Sequence, residues 1–452
     1  MLPMLALLLS TVSADAGTLT VILGGSPPFP TIEELGQDSV ASTDSSLAAL
    51  EEDLMLWYLS EGYPFAGAGL YFSSRDTLRV NAVPGRHAAL EEVRIEGAPG
   101  TRSSVFTRML RMKPGEPYSR AAVLEWRGRL ERLPFVESVG STGLFLGPYG
   151  DLVLVQEVVE GPSGLFSASM GWDGKGVEGG GEVAFTNLAG TARQLEVSGE
   201  ATDWGGLNAG LRYREPWLFG VPLSAELEVA QDTPESSWVN RQGSITFIWG
   251  ADLLETSAGA GIWRGYPPDG SRETYDYGLA GIRYTPGRRV PQGWLGADIS
   301  LEARVGDLSG EEMSSVLSIA TLSSTGHWFR GVLGLGGEIL AGGVMSGDWF
   351  EGLLTPLGGQ ETIRGYQEDA FTAVRYVVGR PEFSLGETST RAYLFADLAA
   401  LETMEGLTRY PAGCGAGIRG RSGIFMTEVS AGFPILEGPG SSRLYLQVSA
   451  GI

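Results

Sequence analysis

The chain has 452 residues, a formal net charge of −22 and a pI near 4.6. No basic patch is available to grip a phosphate backbone, which argues against nucleic acid as a partner. One cysteine (Cys414) and two histidines (His87, His327) leave no route to an intrachain disulfide or a cysteine zinc cluster, and none to a multi-histidine metal site, so no metal or cofactor is expected.

Residues 1–16 read MLPMLALLLSTVSADA, with an apolar run from Leu2 to Leu9 and an Ala-x-Ala end at Ala14-Asp15-Ala16. This is the pattern of a secretory signal without the usual basic start; a buried N-terminal helix is the other reading. Beyond Ala16 no apolar run approaches the ~20 residues of a membrane helix. A membrane-spanning form must therefore be a closed barrel.

Residues 17–162 carry the only helical patterns. A strand-like Thr18–Leu23 precedes a helix capped at Thr43-Asp44-Ser45, running through Leu47, Leu50, Leu54, Met55 and Leu59 and ended by Gly62. Strands Ala68–Phe72 and Thr77–Val83 follow, then the turn Pro84-Gly85. The pattern repeats: strand Leu90–Ile95, helix Ser103–Met112, a break at Lys113-Pro114-Gly115, a helix capped by Ser119 and running to Leu133, then strands Val136–Leu146 and Asp151–Val159. The reading is two tandem α+β domains of β-α-α-β-β order, residues 17–86 and 87–162.

From 163 to 452 the texture is strand and turn only. Leu223, Ala225, Leu227 and Val229 alternate with Ser224, Glu226 and Glu228; Ala392, Leu394, Ala396 and Leu398 alternate with Arg391, Tyr393, Phe395 and Asp397. Sixteen such segments start near residues 164, 177, 192, 207, 223, 238, 254, 274, 296, 314, 330, 372, 390, 412, 424 and 441. The even count suits a bacterial transmembrane antiparallel β-barrel, so the predicted fold is mainly β with a small α+β arm. Tryptophans near segment ends (Trp172, Trp204, Trp217, Trp249, Trp263, Trp294, Trp328 and Trp349) suit interfacial girdles. One connection, 343–371, is long, and a loop of that length reads as functional or disordered.

That connection contains Leu357-Gly358-Gly359-Gln360-Glu361-Thr362-Ile363-Arg364-Gly365-Tyr366. It resembles the signature loop of the BamA/TamA outer-membrane assembly superfamily, which includes two-partner secretion transporters. The pattern there is a Gly-Gly pair followed by Val/Ile-Arg-Gly-Phe/Tyr. Asn187-Leu188-Ala189-Gly190, Glu215-Pro216-Trp217 and Phe395-Ala396-Asp397 fit further motifs in the same order. With this resemblance the two arm domains read as POTRA-like. Two features depart from the pattern: the last strand ends Ala450-Gly451-Ile452 rather than on an aromatic residue, and the arm is short.

The resemblance implies that the loop folds into the barrel and that Arg364 contacts acidic wall residues, Asp397 and Glu382. Strand parity puts both acids on the face opposite Leu394, Leu398 and Phe383, toward the lumen. Gly358, Gly359, Ile363, Gly365 and Tyr366 complete the loop motif. The seam is expected between Leu165 and Phe166 of the first strand and Leu444, Leu446, Val448 and Ile452 of the last. The implied function is an outer-membrane assembly or translocation factor with its arm in the periplasm of a Gram-negative-type bacterium. Its implied partners are unfolded outer-membrane or secreted client proteins, outer-membrane lipid, and periplasmic accessory subunits or chaperones. A secretion pore is the alternative and a passive porin a weaker one. No enzyme is expected: HExxH and Gly-x-Ser-x-Gly are absent, and Gly415-x-Gly417-x-x-Gly420 lies in alternating strand sequence, where it reads as barrel glycines.

Overall fold

The computed structural model describes residues 7–9, 20–25, 28, 30 and 44–451, apart from 75–76, 148–151, 173–176, 202–205, 236–237, 252, 291–292, 312, 388 and 436–442. The chain divides into two compact units, one of residues 1–99 with 103–160, the other of 100–102 with 161–452.

The first unit holds two four-stranded sheets. In the first sheet, Thr20–Gly25 lies parallel to Thr77–Val83, which pairs antiparallel with Gly67–Ser74. Helix α1, Asp44–Ser60, lays Leu50, Leu54 and Tyr58 on Leu78, Val80 and Ala82, all buried. The Tyr58 hydroxyl donates to the Pro28 carbonyl at 2.7 Å, and burial pushes its pKa up to about 12. Gly62, at φ 86°, ends this segment in a conformation that costs other residues strain. Of the predicted signal segment only Leu7–Leu9 are described; they pair antiparallel with Val21–Leu23.

The second sheet contains Ala89–Glu96, Glu116–Pro117, Val136–Leu146 and Leu152–Glu160, with helices α2, Ser103–Leu110, and α3, Arg120–Glu131. Ser119 caps α3 by accepting from the Ala122 N–H at 3.4 Å. Among the described residues the first half of this unit carries one helix rather than two; residues 31–43 lie outside the described set.

The second unit is a closed antiparallel barrel of sixteen strands. These are β1 Gly164–Trp172, β2 Val177–Leu188, β3 Arg193–Ala201, β4 Leu207–Glu215, β5 Leu223–Glu235, β6 Trp238–Ala251, β7 Leu254–Tyr266, β8 Glu273–Tyr284, β9 Gly293–Ser309, β10 Ser314–Arg330, β11 Leu333–Ser346, β12 Arg375–Gly386, β13 Thr390–Glu402, β14 Ala412–Ser422, β15 Phe425–Pro434 and β16 Arg443–Gly451. Two short pieces, Gly287–Val290 and Thr408–Arg409, extend the ladders of β9 and β13. No strand start departs from its sequence expectation by more than three residues.

The alternation explains the barrel directly. Leu227, Val229, Leu394 and Leu398 are among many large apolar side chains left exposed on the outer wall, while Phe395 and Asp397 are buried on the inner one. Among the described residues no helix is long and apolar enough to cross a membrane. Trp172, Trp249 and Trp328 are about half exposed near strand ends, as a girdle requires. Trp263 and Trp349 are not girdle residues. They pack into an apolar cluster with Tyr275, Leu308, Leu317 and Leu354, because β7 turns Trp263 inward and Trp349 belongs to the long loop. Trp204 and the Trp294 side chain lie outside the described residues.

Candidate functional site

β12 and β13 carry the wall on which the long loop docks. Their ladder pairs Arg375–Gly379 and Glu382–Gly386 with β13 but skips Arg380 and Pro381, as expected where proline brings no N–H. The loop between β11 and β12 is partly ordered by its own short hairpin, Thr355–Leu357 with Phe371–Ala373. Between these strands the motif forms a tight turn. Thr362 Oγ1 accepts from the Gly358 N–H at 2.6 Å and donates to the Gly358 carbonyl at 2.7 Å. The Gln360 N–H donates to Glu368 Oε1 at 2.8 Å. Both Gly358 and Gly359 have positive φ.

Arg364 is 7 % exposed and Asp397 is fully buried. Asp397 Oδ2 accepts from both the Arg364 backbone N–H and Nε at 2.8 Å, and Oδ1 accepts from Nη2 at 2.7 Å. The guanidinium also lies 3.6 Å from the centroid of the Phe395 ring. A carboxylate and an aromatic face thus hold the planar fork of this cation. Glu382 is farther, 3.9 Å from Arg364 Nη1, and stands 3.4 Å from Arg419 Nη1. Arg419 in turn donates to Glu428 at 2.6 Å, and the Tyr393 hydroxyl donates to the same carboxylate.

The loop can approach the wall this closely because the wall there lacks side chains. A Cβ on Gly413 would collide with the Arg364 carbonyl oxygen. Gly365, at φ 100°, turns the chain immediately after the arginine. Ile363 is fully buried with Leu357, Tyr366, Val378 and Leu401. Tyr366 stacks edge-on against Phe371 at 5.1 Å, and its hydroxyl donates to the Ala412 carbonyl at 3.4 Å. The Gly415 and Gly417 positions lie beneath the rings of Phe395 and Tyr393, which explains these glycines as packing sites.

Sequence reasoning missed Arg380. From β12 it reaches up to the loop, donating to the Gln360 carbonyl at 2.7 Å and the Glu361 carbonyl at 2.6 Å, while pairing with Glu338 at 2.6 Å. Its lumen-facing parity, two residues before Glu382, was the available signal. Arg364 thus runs from loop to wall and Arg380 from wall to loop.

The seam is closed. β16 pairs with β1 from Leu444↔Trp172 to Gly451↔Leu165, including Leu446↔Met170 and Val448↔Ala168. Phe166 and Leu444 are well exposed on the outer face. Leu165 lies next to Phe166 and so points to the opposite face. Ile452 lies outside the described residues. Inside, a cavity of about 710 Å3 extends from the docked loop to β1–β5, with ten carboxylates and four arginines on its wall. Asn187 holds residues of the second unit together: its Nδ2 donates to Thr101 Oγ1 at 2.6 Å, and its Oδ1 accepts from the Ala192 N–H at 2.7 Å.

No family model matches the sequence, and no curated protein matches it. Solved structures do. BamA from Haemophilus ducreyi lacking POTRA domains 1–3 is 16 % identical and superposes with a TM-score of 0.58, over 97 % of this chain and all of that one. CdiB from Acinetobacter baumannii (12 % identical) and CdiB from Escherichia coli (16 % identical) each give a TM-score of 0.58 over 97 % of this chain and 91 % of theirs. In its architecture, this chain shares the sixteen-stranded barrel fold of these BamA and CdiB structures.

Proposed function

We propose that this protein is an outer-membrane factor that inserts or passes β-rich client proteins by strand pairing at the β1–β16 seam. Barrel pairing and apolar burial drive the process, without ATP and without covalent chemistry. The observation that carries the reading is the buried Arg364–Asp397 pair, which holds a complete signature loop inside the barrel. A passive porin has no need of such a loop. Residues 1–16 are read as the signal, 17–86 and 87–162 as POTRA-like periplasmic domains, and the barrel as lying in the outer membrane with lipid on its apolar belt. Sheet edges in the arm can accept an extended client segment by β-augmentation, and accessory subunits or chaperones would deliver it. At the seam, the client's strand replaces β1 or β16 as a partner, so the edge on which it is templated stays paired.

The test is insertion of a purified, unfolded barrel client into liposomes, with and without this protein. Faster insertion with the wild type, lost in Arg364→Ala, is the expected result. No acceleration by either protein contradicts an insertase.

A second reading has its own support. The polar cavity of about 710 Å3 beside the loop is a route for a client through the lumen rather than through the seam. Secretion of a co-expressed client that persists when the seam is crosslinked would favour this route.

A further inference from the structure

We infer that Tyr445 couples the signature loop to the barrel seam. Tyr445 lies on β16, 2 % exposed, and is the cross-strand partner of Gly171 on β1. Its hydroxyl accepts from the Gly365 N–H at 3.0 Å and donates to the Tyr366 carbonyl at 3.3 Å. Its ring lies over Gly171, where a Cβ would stand 3.7 Å from it. One side chain therefore touches the last strand, the first strand and the motif backbone.

The chemistry requires a hydroxyl. A single oxygen here accepts a hydrogen bond from one backbone group and donates one to another, which an amide, an ammonium or a carboxylate does not do with one atom. The ring supplies the reach, since Gly171 leaves space for it on the inner face of β1. The other inner-face pairs of the seam are small or flexible: Gln447↔Ser169, Ser449↔Ser167 and Gly451↔Leu165. Gln447 adds a second, longer contact, accepting from Gln360 Nε2 at 3.5 Å. The loop therefore bonds to the seam through β16. Its docked position keeps Tyr445 across Gly171, and moving the loop withdraws both hydrogen bonds together. By linkage, loosening the seam must weaken loop docking to the same degree.

The inference rests on the reading of loop and seam as the working parts, but its test needs no client, so failure of the insertion assay leaves it standing. The measurement is hydrogen exchange by mass spectrometry on the full chain in bilayer nanodiscs, with amides of β6–β8 as the reference for the fold. Tyr445→Phe keeps the ring and removes one oxygen. We expect exchange in β1, β16 and residues 360–366 to quicken about ten-fold or more, the effect of losing both hydrogen bonds of the hydroxyl, with β6–β8 unchanged. Arg364→Ala should loosen the same seam amides, and the double variant should loosen them no further than the larger single change. Unchanged seam exchange in Tyr445→Phe, or effects that simply add in the double variant, would overturn the coupling. So would protection lost equally in β6–β8, which would make the hydroxyl a general stabiliser. Gln447→Leu gives an independent reading: a smaller loosening of the same amides supports the coupling, and faster exchange confined to residues 360–362 contradicts it.

Discussion

Asp397 is fully buried and accepts three hydrogen bonds from a single arginine, so the pair has more at stake than a surface ion pair. Removing one partner leaves an uncompensated charge, a loss of about 3–5 kcal/mol where burial is this deep. Thermal unfolding in detergent should therefore show a marked fall in Tm for Asp397→Ala. The double variant Arg364→Ala with Asp397→Ala should be less destabilised than the sum of the two single changes. Additive losses would mean the two residues act separately. Packing makes a second demand at this scale. Because a Cβ on Gly413 would collide with the Arg364 carbonyl, Gly413→Val should displace the loop without removing any of its polar partners. Limited proteolysis is expected to cut near Arg364 several-fold faster in that variant. An unchanged cleavage rate would mean that the wall yields instead.

Among elements, the strand alternation and the turn residues carried most of the information. A strand with one face to lipid and one to the lumen must alternate, so the starts of all sixteen strands could be read to within a few residues. The same parity placed Glu382 and Asp397 on the inner face. What it could not fix was which lumen residues the loop would meet. That depends on how far the loop descends and on where the wall lacks side chains, and both are properties of the closed barrel. Tyr445 was invisible for this reason, Arg380 had only its lumen-facing parity to mark it, and Glu382 turned out to bond Arg419 more closely than Arg364. Two of the tryptophans, Trp263 and Trp349, failed for a related reason: nearness to a strand end gives no face, and β7 turns Trp263 inward. The clamp formed by Arg380 is testable at this scale. Arg380→Met keeps the stem and removes the bonds to the Gln360 and Glu361 carbonyls. Hydrogen bonds from a charged donor contribute about 1.5–3 kcal/mol, so loop docking should weaken, but by less than in Arg364→Ala. Amide exchange confined to residues 358–366 would check the ranking, and the reverse order would assign the main hold to β12 rather than β13.

The whole molecule has a strongly asymmetric interior. An apolar cluster packs the long loop against β7–β11, while an acidic cavity is walled by β1–β5 and by lumen residues of β10–β12 and β14–β16. Ten carboxylates against four arginines give that cavity a negative potential, which concentrates cations. Replacing the loop by a short Gly/Ser link should open a pore that prefers cations, with the preference fading as ionic strength rises. Anion selectivity in planar bilayers would contradict this picture. The closed seam beside the cavity is the centre of the account, since an insertase must open it and a lumen route need not. The most direct measurement locks it. Ser167 and Ser449 are cross-strand partners on its inner face, so both can be changed to cysteine in a chain where Cys414 has been replaced by alanine. With the disulfide formed, client insertion into liposomes should stop, and reduction should restore it. Full insertion by the locked barrel would contradict strand exchange at the seam.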